Sequence, residues 1–243
     1  VDEPLARELV TWLARFHSAF LVDRDGDGDG DGDAEAAREP VWRSKWERGG
    51  WWRKPLRPTV KFDAIPATWA SLVAQFPHVF RAHERTASDD VPALLERMRD
   101  LALTDAFASA LGPSNTLMHG DVKTCNAFFH AAAPHENNPV VAIDFQWTGP
   151  ARGGVADVVY LVFGGVRLPG MENDDQPSGH VVRDFHAAAD ALYARLLTHY
   201  FRTAAPALYA RSEAELHRLA DLELLDYFST ALPYLLADLT PKI

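Results

Sequence analysis

The sequence predicts an α+β domain that is mainly α. Apolar residues recur at three- and four-residue steps through long segments towards both ends of the chain. One short β-branched and aromatic stretch with turn residues interrupts them near the middle, and no internal repeat is present. With 243 residues, 47% of them hydrophobic and 24% charged, the chain has the length and composition of an ordinary globular protein.

The elements follow in order. Leu5, Leu9, Trp12, Leu13, Phe16 and Phe20 give an amphipathic helix over Pro4–Leu21. An Asp-Gly repeat from Asp23 to Asp33 ends it and runs on through Ala34–Pro40 as a linker. Residues 41–60 carry Trp42, Trp46, Trp51 and Trp52 without a clear period, and Trp51 and Trp52 read as aromatic packing under a loop or as the wall of a substrate cleft. Helical patterns return at Pro66–Phe76 and Val91–Leu111, the second closed by Gly112-Pro113. After the short apolar Thr116–Met118 come two short strands, Ala127–His130 and Val140–Phe145, around the turn Asn137-Asn138-Pro139. Helices then resume at Val155–Phe163, Ser178–Phe201 and Ser212–Leu236, with a loop over 165–177.

Acidic residues outnumber basic ones, 34 to 24, for a net charge of −10, which argues against nonspecific nucleic-acid binding. Half of that charge is local, since residues 23–33 hold six Asp and one Arg. An EF-hand register starting at Asp23 places Ala34 where a bidentate Glu is required, so residues 23–40 read as a disordered low-complexity insertion. The lone cysteine, Cys125, excludes an intrachain disulfide and points to a reducing, cytoplasmic setting. In its sequence context, with no base beside it, it reads as a small buried hydrophobe. No apolar run approaches the roughly 18 to 20 residues that span a bilayer, and no membrane association is expected.

The chemistry concentrates in Leu117–Asn126 and Val141–Gln146. Asp121 follows a short strand in a Gly-containing loop, Asn126 lies five residues on, and Asp144 ends the second apolar strand. Pairing of the two strands as a hairpin brings all three together. One amide oxygen and one carboxylate, completed by phosphate oxygens and water, suit Mg2+, and a second carboxylate left off the metal can accept a proton from a hydroxyl. Read singly, Asp121 and Asp144 are also consistent with loop capping, and Asn126 with a turn.

His119-Gly-Asp121-x-x-x-x-Asn126 followed by Ile143-Asp144-Phe145-Gln146 resembles the catalytic loop and metal segment of the aminoglycoside phosphotransferase and choline kinase-like superfamily, and Ile-Asp-Phe-Gln resembles its ecdysteroid kinase-like branch. Gly153-Gly-Val-Ala-Asp157-Val-Val-Tyr160 and Trp12-Leu-Ala-Arg-Phe-His17 extend the likeness, loosely over nearly the whole chain and tightly over residues 117–160. The resemblance implies the helical C-terminal lobe of a protein kinase-like fold over residues 1–243, with a β-hairpin at the active site. It implies Asp121 as catalytic base, Asn126 and Asp144 on Mg2+, His119 shaping the loop and Asp157 bracing it. The implied reaction moves the γ-phosphoryl group of ATP to a small-molecule hydroxyl. Lys123 takes the position of a lysine that steadies the γ-phosphate, or is a solvated lysine. Asp157 is equally suited to capping the helix after it, and His17 to a structural role.

Such a kinase also uses an N-terminal lobe with a Gly-rich turn, a strand Lys and a helical Glu. The sequence upstream of His119 holds no Gly-rich loop of that kind, and Val60-Lys61-Phe62 is a faint, misordered candidate for the strand Lys. The expectation is therefore a C-terminal lobe whose partner lobe lies outside the chain, binding ATP weakly and turning over slowly or not at all. Two rivals stand beside it. One is a kinase-like module that binds without catalysis. The other is a metal-dependent hydrolase using Asp121 and Asp144, which would act without nucleotide.

Overall fold

The computed structural model describes residues 1–21, 48–50, 63–75, 77, 90–102, 104, 106–112, 114–130, 140–167, 179–204 and 213–239. The Asp-Gly insertion, Trp42, Trp46, Trp51, Trp52, Val60-Lys61-Phe62, the Asn137–Pro139 turn and most of the 165–177 loop lie outside these residues.

The described residues are mainly helical, with two small antiparallel ladders, in keeping with an α+β reading. Helix α1 (Glu3–Ala19) starts at Asp2, whose side chain accepts the Leu5 N–H, and has a proline in its first turn. Its buried face, Ala6, Leu9, Val10, Leu13, Ala14 and His17, repeats at three and four residues. Helices α2 (Ile65–Gln75), α3 (Asp90–Ala102) and α4 (Ala106–Leu111) follow. The expected single helix over Val91–Leu111 is thus two. The Thr104 hydroxyl accepts the Ala106 N–H and starts the second, and the Thr104 N–H bonds back to Leu101 O.

Strand β1 (Thr116–Met118) pairs with β4 (Gly149–Ala151), and β2 (Ala127–Phe129) pairs with β3 (Val140–Ala142) in the expected hairpin arrangement. The second strand ends at Ala142, three residues before the expected Phe145, because Phe145–Trp147 turns into a 3-10 segment. Strand β4 has no expected counterpart. Gly-Pro-Ala carries no strand propensity, and its pairing comes from β1, buried at all three positions.

Helix α5 (Val155–Gly165) is the hub. Seven of its residues from Val155 to Val162 are buried, against α1 on one side and against α6 (Gly179–Thr203) and α7 (Glu213–Leu239) on the others. The core joins Leu9, Leu13, Val158, Leu161, Leu196, Tyr200 and Ala220. No helix among the described residues is long and apolar enough to cross a membrane.

Candidate functional site

The loop after β1 is held from below by α5. Asp157, in the first turn of α5 and fully buried, accepts the His119 N–H (2.6 Å) at Oδ2 and the Gly120 N–H (2.8 Å) at Oδ1. His17 Nε2 of α1 donates to Oδ2 at 3.0 Å, and its Nδ1 meets Tyr200 Oη at 2.7 Å, which itself donates to Gly153 O. One carboxylate thus fixes two consecutive loop amides and one helix. Asp157 does not cap α5; that position belongs to Gly154, at φ +68. A Cβ on Gly154 would run into the His17 ring, so the contact requires glycine.

The loop turns at Gly120, φ +86, where a Cβ would collide with the Trp147 carbonyl. His119 is fully buried. Its Nε2–H donates to Ile143 O (2.9 Å) and its Nδ1 accepts the Asp121 N–H (3.3 Å), so one tautomer serves both. Trp12 and Phe145 pack on the ring. His119 therefore links the Asp121 loop to the segment that carries Asp144.

Three donors converge on the Asp121 carboxylate, which is 4% exposed: Tyr160 Oη–H to Oδ1 (2.9 Å), Lys123 Nζ to Oδ2 (3.1 Å) and Asn126 Nδ2 to Oδ2 (3.1 Å). Sequence reasoning quoted Tyr160 without assigning it a role. Its spacing of three from Asp157 on α5, which puts both side chains towards the same loop, was the available signal. Burial, then the adjacent Asp121 charge, pushes the Tyr160 phenol well above its usual range, so it stays a donor.

Asn126 Nδ2 also donates to Asp121 O (2.9 Å), so both of its amide hydrogens go to Asp121, and Asn126 Oδ1 accepts only from the Cys125 thiol among the described contacts. The neighbouring Cys125 Sγ lies 3.6 Å from that oxygen. Cys125 is exposed, contrary to the buried expectation, because the 3-10 turn over Thr124–Asn126 sends Asn126 inward and its neighbour outward. The Asn126 carbonyl accepts the Ile143 N–H (2.9 Å), so Asn126 and Asp144 sit at facing ends of the β2–β3 ladder. Asp144 is exposed and holds a left-handed backbone, φ 64, the one described non-glycine residue to do so. Asp tolerates that conformation, and strain of this kind collects at functional positions.

Among the described residues no group of three or more His, Cys, Asp and Glu is placed to hold a metal ion. One amide oxygen and one carboxylate oxygen are nonetheless a donor set that fits Mg2+, which takes oxygen ligands and keeps several waters. The five expected residues Asp121, Lys123, Asn126, His119 and Asp157 come together in one hydrogen-bonded cluster, and Asp144 stands beside it. No protein-family model, curated protein or solved structure matches the chain.

Proposed function

We propose that the chain is the catalytic lobe of a small-molecule kinase, a phosphotransferase that moves the γ-phosphoryl group of ATP to a substrate hydroxyl. The observation that carries this reading is the orientation of Asn126. Its amide nitrogen is spent on Asp121, so its oxygen, met only by the weakly donating Cys125 thiol, can turn to a cation shared with Asp144 while the Asp121 carboxylate stays off the metal. Asn126 and Asp144 would hold Mg2+, which supplies charge neutralisation on the transferring phosphate. Asp121 orients the acceptor hydroxyl and takes its proton. Lys123, 39% exposed, reaches from Asp121 towards the same space and can follow the developing charge. Asp157 keeps the loop backbone fixed throughout, which is the positioning that phosphoryl transfer chiefly needs. Exposed Phe128 and Val141, directly opposite one another in the β2–β3 ladder, offer a flat apolar surface for a nucleotide base.

Asp121→Asn is expected to lower phosphoryl transfer by roughly two to four orders of magnitude, the usual contribution of a general base. With its oxygen towards Asn126 and Lys123 and its NH2 towards Tyr160 Oη, which can accept as well as donate, the neutral amide keeps these partners, so folding should persist. The assay uses labelled ATP, Mg2+ and a panel of hydroxyl acceptors (an aminoglycoside, choline and a hydroxylated sterol) on the 243-residue chain. Undiminished transfer by the variant would overturn the reading. A second reading, a nucleotide-binding module without catalysis, is favoured by the three donors already on Asp121, which leave it one free lone-pair direction. It predicts nucleotide binding with no transfer.

A further inference from the structure

On the side of α1 away from the loop, a cleft of about 330 Å3 opens between α1 and α6. Its lining is Arg7, Ala194, Arg195, Thr198, His199 and Arg202, with three guanidiniums and no carboxylate. On a chain of net charge −10 this is a concentrated positive site. Two of the three arginines are held in place. Arg195 gives its Nε–H and Nη2–H to Glu3 (2.9 and 2.8 Å), leaving Nη1 free. Arg7 gives one Nη2–H to His199 Nδ1 (3.3 Å). His199 is fixed in turn, because the Thr11 hydroxyl donates to Arg7 O and so must accept from His199 Nε2 (2.8 Å). Arg7 therefore hydrogen-bonds a His ring, with the Glu3 carboxylate close enough to feel its charge, and Arg202 has no ion-pair partner among the described residues. Burial, then the Arg7 charge, pulls the His199 pKa below its usual value against the opposing Glu8 charge.

We infer that this cleft binds a small phosphate monoester. Glu3 and Glu8 offset part of the arginine charge, and the three guanidiniums leave the cleft net positive and suited to an anion. Three guanidiniums approaching from separate residues suit a tetrahedral group with three oxygens, whereas a planar carboxylate is saturated by one fork. Thr198 adds a hydroxyl, and the volume admits a ligand the size of a sugar phosphate. The site does not depend on the phosphotransfer reading, since none of its residues touches the Asp121 cluster.

The test is calorimetric titration of the 243-residue chain with inorganic phosphate and with glucose 6-phosphate at fixed ionic strength, with succinate and glucose as comparisons, and amide NMR to locate binding. The expected result is saturable one-to-one binding of both phosphates, weaker binding of succinate, none of glucose, and shifts centred on residues 194–202. Arg202→Ala and Arg7→Ala should each weaken it roughly tenfold, as loss of a charged hydrogen bond does. Arg218→Ala, which removes an arginine already satisfied by Glu215, should leave it unchanged. Absence of saturable binding, equal binding of succinate, equal weakening by Arg218→Ala, or shifts centred on residues 119–126 would each overturn the assignment.

Discussion

Asp157→Ala is expected to destabilise the fold by about 3–5 kcal/mol, since each buried donor left unsatisfied costs about 1–3 kcal/mol. Three donors lose their acceptor together: the His119 and Gly120 amides and His17 Nε2. All three sites are fully or nearly fully buried, so water cannot replace the carboxylate without opening the loop. The loss should also be directional. Asp157→Asn keeps the volume and one acceptor oxygen, so it should recover part of the stability while still leaving one backbone amide or His17 unsatisfied. Urea denaturation of the two variants gives the energies, and hydrogen exchange at the His119 and Gly120 amides gives the location. A loss under about 1 kcal/mol for Asp157→Ala, or unchanged protection of those two amides, would contradict the bracing role.

The contrast between Asp157 and Arg48 shows where a sequence is legible. Asp157 lies within a recognisable run, and its bracing of a loop 37 and 38 residues away was implied by the resemblance of that run to a known motif. Helix periodicity located α1, α5, α6 and α7 to within a few residues. What escaped were features set by distant neighbours. The split at Thr104 depends on a hydroxyl choosing a helix start over a helix interior. Strand β4 exists because Gly149 packs against Gly49, whose N–H donates to Pro150 O. Cys125 is exposed because Asn126 beside it is drawn in by Asp121. Arg48 meets its partners across 175 residues, from a stretch with no period at all, and nothing local could have announced it.

Arg48 is nevertheless the other residue whose removal should be felt most. It leads into Gly49-Gly50, which bond to Pro150 O and Trp147 O beside the candidate site, and it anchors that segment to α7 by donating to Glu223 Oε2 (2.7 Å) and Asp226 Oδ2 (3.0 Å). Both carboxylates are buried and both contact Arg48. Burial pushes the Glu223 carboxyl up to about 7 despite the Arg48 charge beside it. A folded-state value above the ordinary 4.5 means that the native protein holds this proton more tightly than the unfolded chain. Its contribution is then fully present below about pH 4.5 and is lost as pH rises through about 7. At 1.4 kcal/mol per unit the change across that window is about 3 kcal/mol. Glu223→Gln, neutral throughout, should remove this slope and gain on the wild type as pH rises from 5 to 8. Arg48→Met, by contrast, removes the cation that both carboxylates contact. It should cost about 3–5 kcal/mol at pH 8, and less at pH 5, where protonation relieves the repulsion. Urea melts of the three proteins at pH 5 and pH 8 check both signs. A Glu223→Gln curve parallel to the wild type, or an Arg48→Met cost no larger at pH 8 than at pH 5, would show that the cluster is open to solvent and that α7 is anchored to the 48–50 segment by other contacts.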